Sequence, residues 1–161
     1  MKWVTRERPK IDRVACPWLV ARFIDPKAEF LFVNPSEVAR VASETGAVPY
    51  DVEGVELSHD GVLCSFDAFL AKYDLHDPVL AELAKIVRGA DTNRLDLTPQ
   101  CAGVLAISLG LSRLFADDHE QLQHGFIIYD ALFAWLREAR LEQHMWNPQR
   151  VAIGSDEART S

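Results

Sequence analysis

Residues 28–52, AEFLFVNPSEVARVASETGAVPYDV, decide the fold class of this chain. The run AEFLFV, residues 28–33, is short, apolar and rich in β-forming side chains, and it predicts a largely buried strand. Pro35-Ser36 opens a helix whose apolar positions Val38, Ala39, Val41 and Ala42 share one side, and Gly46 closes it. Residues 48–52 predict a second strand. Strand, helix and strand in so short a span is the unit of an α/β layer.

The pattern extends both ways from there. Upstream, Trp3-Val4-Thr5 is β-prone, and from Asp12 the residues Val14, Ala15, Trp18, Leu19 and Phe23 recur at near-helical spacing. Pro17 either sits in the first turn of a helix beginning near Cys16 or kinks one that begins earlier, and Asp25-Pro26 ends it. Downstream, residues 55–64 predict a hairpin turning at Asp60-Gly61. Phe66, Phe69, Leu70 and Tyr73 return to helical spacing. Asp77-Pro78 starts a helix that buries Leu80, Leu83, Ala84 and Val87 and ends at Gly89. Thr98-Pro99 starts another, apolar over most of its circumference from Ala102 to Leu114. Asp117 and Glu120 make a capping box for the last helix, which runs through Phe126, Tyr129, Phe133 and Leu136. The expected fold is α/β: a small sheet layered with helices up to about residue 90, then two long C-terminal helices, mostly helical overall. Residues 1–146 form one domain in this reading, and 147–161 a flexible tail. Trp3, Trp18, Trp135 and Trp146 read as packing residues.

Composition narrows the function. The 161 residues carry a net charge of −7, which argues against direct nucleic-acid binding, because phosphate neutralisation needs clustered Lys and Arg. The balance is uneven: residues 1–28 hold seven basic and three acidic side chains, a net of +4, leaving −11 for the rest. Cys16, Cys64 and Cys101 are too scattered for a disulfide framework or a zinc pattern and read as reduced thiols. No apolar leader core opens the chain, and the apolar run at 101–111 is short of the roughly 20 residues a membrane span needs. The expectation is a cytoplasmic protein without a membrane partner, with homo-oligomerisation left open.

Chemistry concentrates in YDVEGVELSHDGVLCSFD, residues 50–67, where carboxylates, an imidazole and a thiol crowd a short stretch. Solvated charges on a polar hairpin are the plain alternative. Asp12, Asp51, His59 and Asp91 all fall at element boundaries and would together make a mixed oxygen–nitrogen site for one divalent metal: manganese, iron or zinc. An α/β layer gathers such boundary residues at one edge of its sheet. Asp60 and Asp67 lie near enough in sequence to approach His59. Glu120 and His124, four apart, make a lesser pair, and His119 does not share their face. Cys64 is either a reactive thiol or a buried structural one. Neither a Gly-rich dinucleotide fingerprint nor a phosphate loop is present, so no nucleotide cofactor is expected.

Several segments, WVTRERPKIDRVACPWLVARFIDP, AEFLFV, HDGVLCSFDAFL, DPVLAELAKIVRGADT, LGLSRLFADDHEQL and YDALFAWLR, together resemble the chromate-resistance protein family, specifically its ChrB C-terminal domain. The resemblance runs from Trp3 to Arg137. It implies a stress-response protein that handles or senses chromate, an oxyanion. Arg6, Arg8, Lys10, Arg13, Arg88 and Arg94 lie in or beside the matching segments as candidate anion holders, with Arg13, Arg88 and Arg94 foremost, because a guanidinium fork suits a tetrahedral dianion. The order of Asp12, Asp51, His59 and Asp91 is also similar to the metal motifs of DHH-type phosphoesterases, though no Asp-His-His triplet is present. The expected function is binding of a divalent metal or an oxyanion in chromate resistance. The alternatives are a non-catalytic regulatory ligand-binding module, or a weak metal-dependent phosphoesterase or chromate-reductase-like enzyme.

Overall fold

The computed structural model describes residues 1–144; the expected tail at 147–161 and Trp146 lie outside them. Three parallel strands, β1 (Lys2–Arg6), β2 (Glu29–Val33) and β3 (Val48–Pro49), form a sheet in the order β2-β1-β3. β1 is central, and its alternation decides what covers each face. Trp3 enters a large core with helices α1 (Asp12–Leu19), α3 (Ser65–Lys72), α4 (Pro78–Asp91) and α6 (Asp118–Ala134). Val4 points the other way into a small cluster with Val38 and Ala47, walled by Val41 and Ala42 of α2 (Val38–Thr45). Helices therefore cover both faces, and the strand order reverses at β1. In such sheets ligands collect beyond the carboxyl ends of the strands on either side of the reversal, here β1 and β3.

The α/β class with two long closing helices, α5 (Cys101–Leu114) and α6, is as expected. Two caps are as read from sequence: Asp77 accepts the Val79 N–H at 2.8 Å and Asp117 the Glu120 N–H at 2.8 Å. Several local expectations are corrected. The hairpin at 55–64 is a loop of turns and bends. It keeps the tight turn at Asp60-Gly61, where Asp60 bridges Leu63, but its flanks do not pair further, because Leu57 is buried in the core with its carbonyl bonded to the Asp51 N–H. The strand expected over 48–52 stops at Pro49, and Asp51 turns away with φ of 50°. α1 begins at Asp12 with Pro17 inside it and widens into a π-helical segment, Val20–Ile24. α4 continues two residues past Gly89 to Asp91. Thr98 does not cap α5, whose first residue is Cys101; its hydroxyl lies instead against the Cys101 thiol.

Close helix packing shapes the neighbourhood of the site. A Cβ on Gly125 of α6 would come within 2.4 Å of Val14 Cγ1, so α1 and α6 touch almost backbone to side chain. A Cβ on Gly89 would meet the Cys101 sulfur at 2.3 Å, which brings the start of α5 onto the last turn of α4. Outward, α5 leaves Ile107, Leu109 and Leu114 exposed. Among the described residues, no helix is long and apolar enough to cross a membrane.

Candidate metal centre at the strand ends

Four acidic or imidazole side chains from distant segments meet at the carboxyl edge of β1 and β3. Asp12 is the first residue of α1, Asp51 follows β3, Asp91 ends α4, and His59 rides the loop between β3 and α3. His59 Nε2 lies 3.3 Å from Asp12 Oδ2, 3.4 Å from Asp51 Oδ1 and 3.0 Å from Asp91 Oδ2. The side chains of Asp12, Asp51 and Asp91 are 2%, 5% and 13% exposed, against 41% for His59, so two buried carboxylates and one partly buried look toward one exposed imidazole. Ligand atoms of Asp12, His59 and Asp91 all fall within 4.8 Å of one another; Asp51 stands outside that close set, 3.4 Å from His59. Oxygen and nitrogen donors around an ion bound at about 2.1 Å are separated by about 3.0 Å along an octahedral edge and about 3.4 Å along a tetrahedral one, so the spacing fits a shared ion.

Local structure explains how each residue arrives. The segment before Asp12 is held by the two C-terminal helices. Gln121 donates to the Pro9 carbonyl at 2.6 Å, the Ile11 N–H donates to Ser108 Oγ at 2.7 Å, and Tyr129 donates to the Ile11 carbonyl at 3.1 Å. Arg8 adds bonds to Asp118 and to the last carbonyls of α5, including those of Ser112 and Phe115. These contacts hold Ile11 at φ 48°, a conformation that a β-branched residue adopts only when its surroundings impose it. Asp12 then faces the N-terminus of α3, where the Ser65 N–H donates to its Oδ2 at 3.3 Å. Ser65 Oγ donates to Asp51 Oδ1 at 2.8 Å, and Arg6 and Arg13 hold Asp51 Oδ2 at 2.8 and 3.2 Å. The His59 loop is anchored nearby by buried Leu57, whose carbonyl accepts from the Asp51 N–H at 2.8 Å.

The electrostatics are those of crowded like charge. Burial, then the charges of Asp12 and Asp51, push Asp91 up to about 7. Burial and the Asp12 charge also raise Asp51, against the opposing hydrogen bonds of Ser65 and Arg6. The hydrogen bond to Asp12, followed by the charges of Asp12, Asp91 and Asp51, lifts His59 to about 9 despite partial burial. In the metal-free chain the imidazolium is thus the cation the carboxylates share. A divalent ion would take over that role, with Nε2 losing its proton to become a ligand. Three oxygens to one nitrogen suit manganese or iron better than a thiolate-preferring metal.

The match to a family model, ChrB, C-terminal domain, covers residues 3–136. The chain belongs to the ChrB C-terminal-domain family. It is 30% identical over 140 residues to Protein ChrB of Cupriavidus metallidurans, an alignment covering 86% of this chain and 42% of that protein. The chain thus spans less than half the length of that relative. No solved structure matches it.

Within this ChrB-family fold the other candidate residues find different surroundings. Arg13, Arg88 and Arg94 each engage a separate carboxylate: Asp51, Asp67 and Asp96 respectively. Arg13 also donates to the carbonyls of Arg6 and Glu7, and Arg94 lies exposed in the turn after α4. Asp67 does not join His59. It accepts the Cys64 N–H at 3.0 Å and closes the first turn of α3. Cys64 is buried, and burial followed by the charges of Asp12 and Asp67 pushes its thiol well up, the reverse of what an activated thiol requires. His119 packs edge-on against Phe32 and His124 stacks on Phe115. Sequence reasoning passed over Ser65 and the holding residues Ser108, Gln121 and Tyr129. The burial of these last three follows from the packing of α5 and α6 and has no local mark in the sequence.

Proposed function

We propose that this domain binds one divalent metal, manganese or iron, through Asp12, Asp51, His59 and Asp91, and that it contributes through that site to chromate tolerance. The observation that carries the metal reading is the position of His59 Nε2, 3.0–3.4 Å from carboxylate oxygens brought in by three different segments. Crowding three carboxylates, two of them buried, is costly unless a cation shares them, and a proton on His59 is a weaker substitute than an ion of charge +2. The chromate role is carried over from the family and is tested separately. Bound in this site, the metal would act as a Lewis acid toward an oxygen of a ligand entering from the His59 side. Arg6 and Arg13 would orient Asp51, Ser65 would hold Asp12 and Asp51 in register, and the packed end of α4 would fix Asp91. The reading asserts binding and does not require turnover.

The test is reconstitution of the purified chain with manganese(II), or with iron(II) without oxygen, followed by desalting and elemental analysis. About one ion per chain is expected, as for a preformed site. Retention of neither metal contradicts the reading. For the biological half, cells expressing the chain should outgrow cells expressing His59→Ala when challenged with chromate. Equal growth at equal protein level removes the tolerance role.

A further inference from the structure

We infer that Arg6 is the anion-recognising arm of this centre, and that with metal bound the cleft beside it takes a small oxyanion, one oxygen toward the metal and another on the Arg6 guanidinium. The inference rests on the metal reading above. Arg6 and His59 hold opposite oxygens of the same carboxylate, Arg6 Nη2 at 2.8 Å from Asp51 Oδ2 and His59 Nε2 at 3.4 Å from Asp51 Oδ1. Both side chains line an open cleft of about 740 Å³ that also includes Pro35, Val52, Gly54 and Ser58. A ligand reaching the metal from this side passes between them.

Arg6 is set apart from Arg13 and Arg88 by its exposure and by lining this cleft, and it has donors to spare. It is 40% exposed and bonds the protein through Nη2 alone, so its Nη1 has no hydrogen-bond partner among the described residues. Arg13 is only 15% exposed and spends Nε on Asp51 and Nη1 on two carbonyls. Arg8 is committed to the end of α5 and to Asp118. Arg88 is turned toward Asp67.

Charge then decides what kind of ligand fits. Three carboxylates, two guanidiniums and a divalent ion, with His59 neutral as a ligand, leave the loaded centre one net positive charge. Without the metal the same groups lack the two positive charges of the ion. The centre therefore attracts anions more strongly once loaded. A guanidinium fork beside a metal favours an anion that presents at least two oxygens. Glu53, exposed on the outer rim of the cleft, disfavours a large multiply charged one.

The experiment is calorimetric titration of inorganic sulfate, a poor chelator of free manganese, into the manganese-loaded and metal-free chain. Sulfate should bind the loaded chain at about millimolar or better and the metal-free chain at least about tenfold more weakly. Arg6→Met should keep manganese and lose sulfate by about tenfold or more, and Arg6→Lys should fall between. If no manganese binds the wild type, the metal reading has failed. If manganese binds but sulfate does not, or binds Arg6→Met as well as wild type, the inference about Arg6 is overturned. Should Arg6→Met lose manganese through disturbance of Asp51, Arg6→Lys decides: retained manganese with weakened sulfate supports the inference, and unchanged sulfate overturns it.

Discussion

Asp12 and His59 reach the same point from opposite kinds of backbone. The segment before Asp12 is fastened by Gln121, Ser108, Tyr129 and Arg8, all reaching across from residues far away in sequence or onto them. The loop carrying His59 is held chiefly by one buried leucine, Leu57, and its tip exposes Val62 at 74%. One wall of the centre is fixed by the fold, and the other has few buried contacts and is tied to it through the ion pairs of His59. A metal site benefits from both: carboxylates that cannot relax away from one another, and an imidazole on a less buried segment, within reach of solvent.

Removing the imidazole should have the largest effect on binding. His59→Ala is expected to weaken manganese binding by about 100-fold or more while the metal-free chain still unfolds cooperatively, because His59 contributes little core area. Calorimetry and thermal melts read both halves. Unchanged manganese affinity would remove His59 from the ligand set. Cutting the fixed wall should behave differently. Gln121→Ala strands the Pro9 carbonyl in the interior and is expected to cost about 1–3 kcal/mol of stability. It should weaken manganese binding as well, since Asp12 loses part of its support. Lost stability with full manganese affinity would mean that the clamp stabilises the fold without positioning the ligand.

The two walls also differ in their response to pH. His59, raised to about 9, contributes stability that is fully present below its ordinary 6.5 and is lost as pH rises through 9. Asp91, raised from 3.8 to about 7, binds its proton more tightly folded than unfolded, so stability falls again as pH rises from about 4 to 7. Both act in the same direction. The metal-free chain should lose thermal stability between about pH 5 and 9, and His59→Ala should flatten the upper part of that decline. Added manganese should stabilise more as pH rises, because the ligands must shed protons to bind it. Melting curves across this range with and without manganese test the sign, and a metal effect that shrinks with rising pH contradicts it. The smallest effect is expected at the open tip: Val62→Ser should change stability by no more than about 0.5 kcal/mol.

The difference between the walls also explains what the sequence could reveal. Local signals were readable: the strand at β2, though its side chains are only partly buried rather than largely buried as expected, the Asp77 and Asp117 caps, and the boundary positions of Asp12, Asp51 and Asp91, with His59 near a turn. The order β2-β1-β3 that brings the β1 and β3 ends together depends on pairings between residues far apart, which no local pattern encodes. The same limit misled the reading of residues 55–64. Asp60-Gly61 correctly signals a turn, but a hairpin also needs partners for its flanks. Ser108, Gln121 and Tyr129 escaped notice because a polar side chain on a helix ordinarily faces water, and only the packing of α5 and α6 over the segment before Asp12 turns them inward. Arg6 stood among several basic residues in the first segment, and nothing in sequence separates it from Arg13. Their different freedom appears only once Arg13 is seen bonded to the Arg6 and Glu7 carbonyls.

The most direct measurement of the central claim is a crystal of the protein soaked in manganese(II) and measured for anomalous scattering. One strong peak should lie within bonding distance of His59 Nε2 and of carboxylate oxygens from Asp12 and Asp91, with Asp51 completing the set. No peak at that point, or a peak bound only by exposed carboxylates elsewhere, would contradict the account.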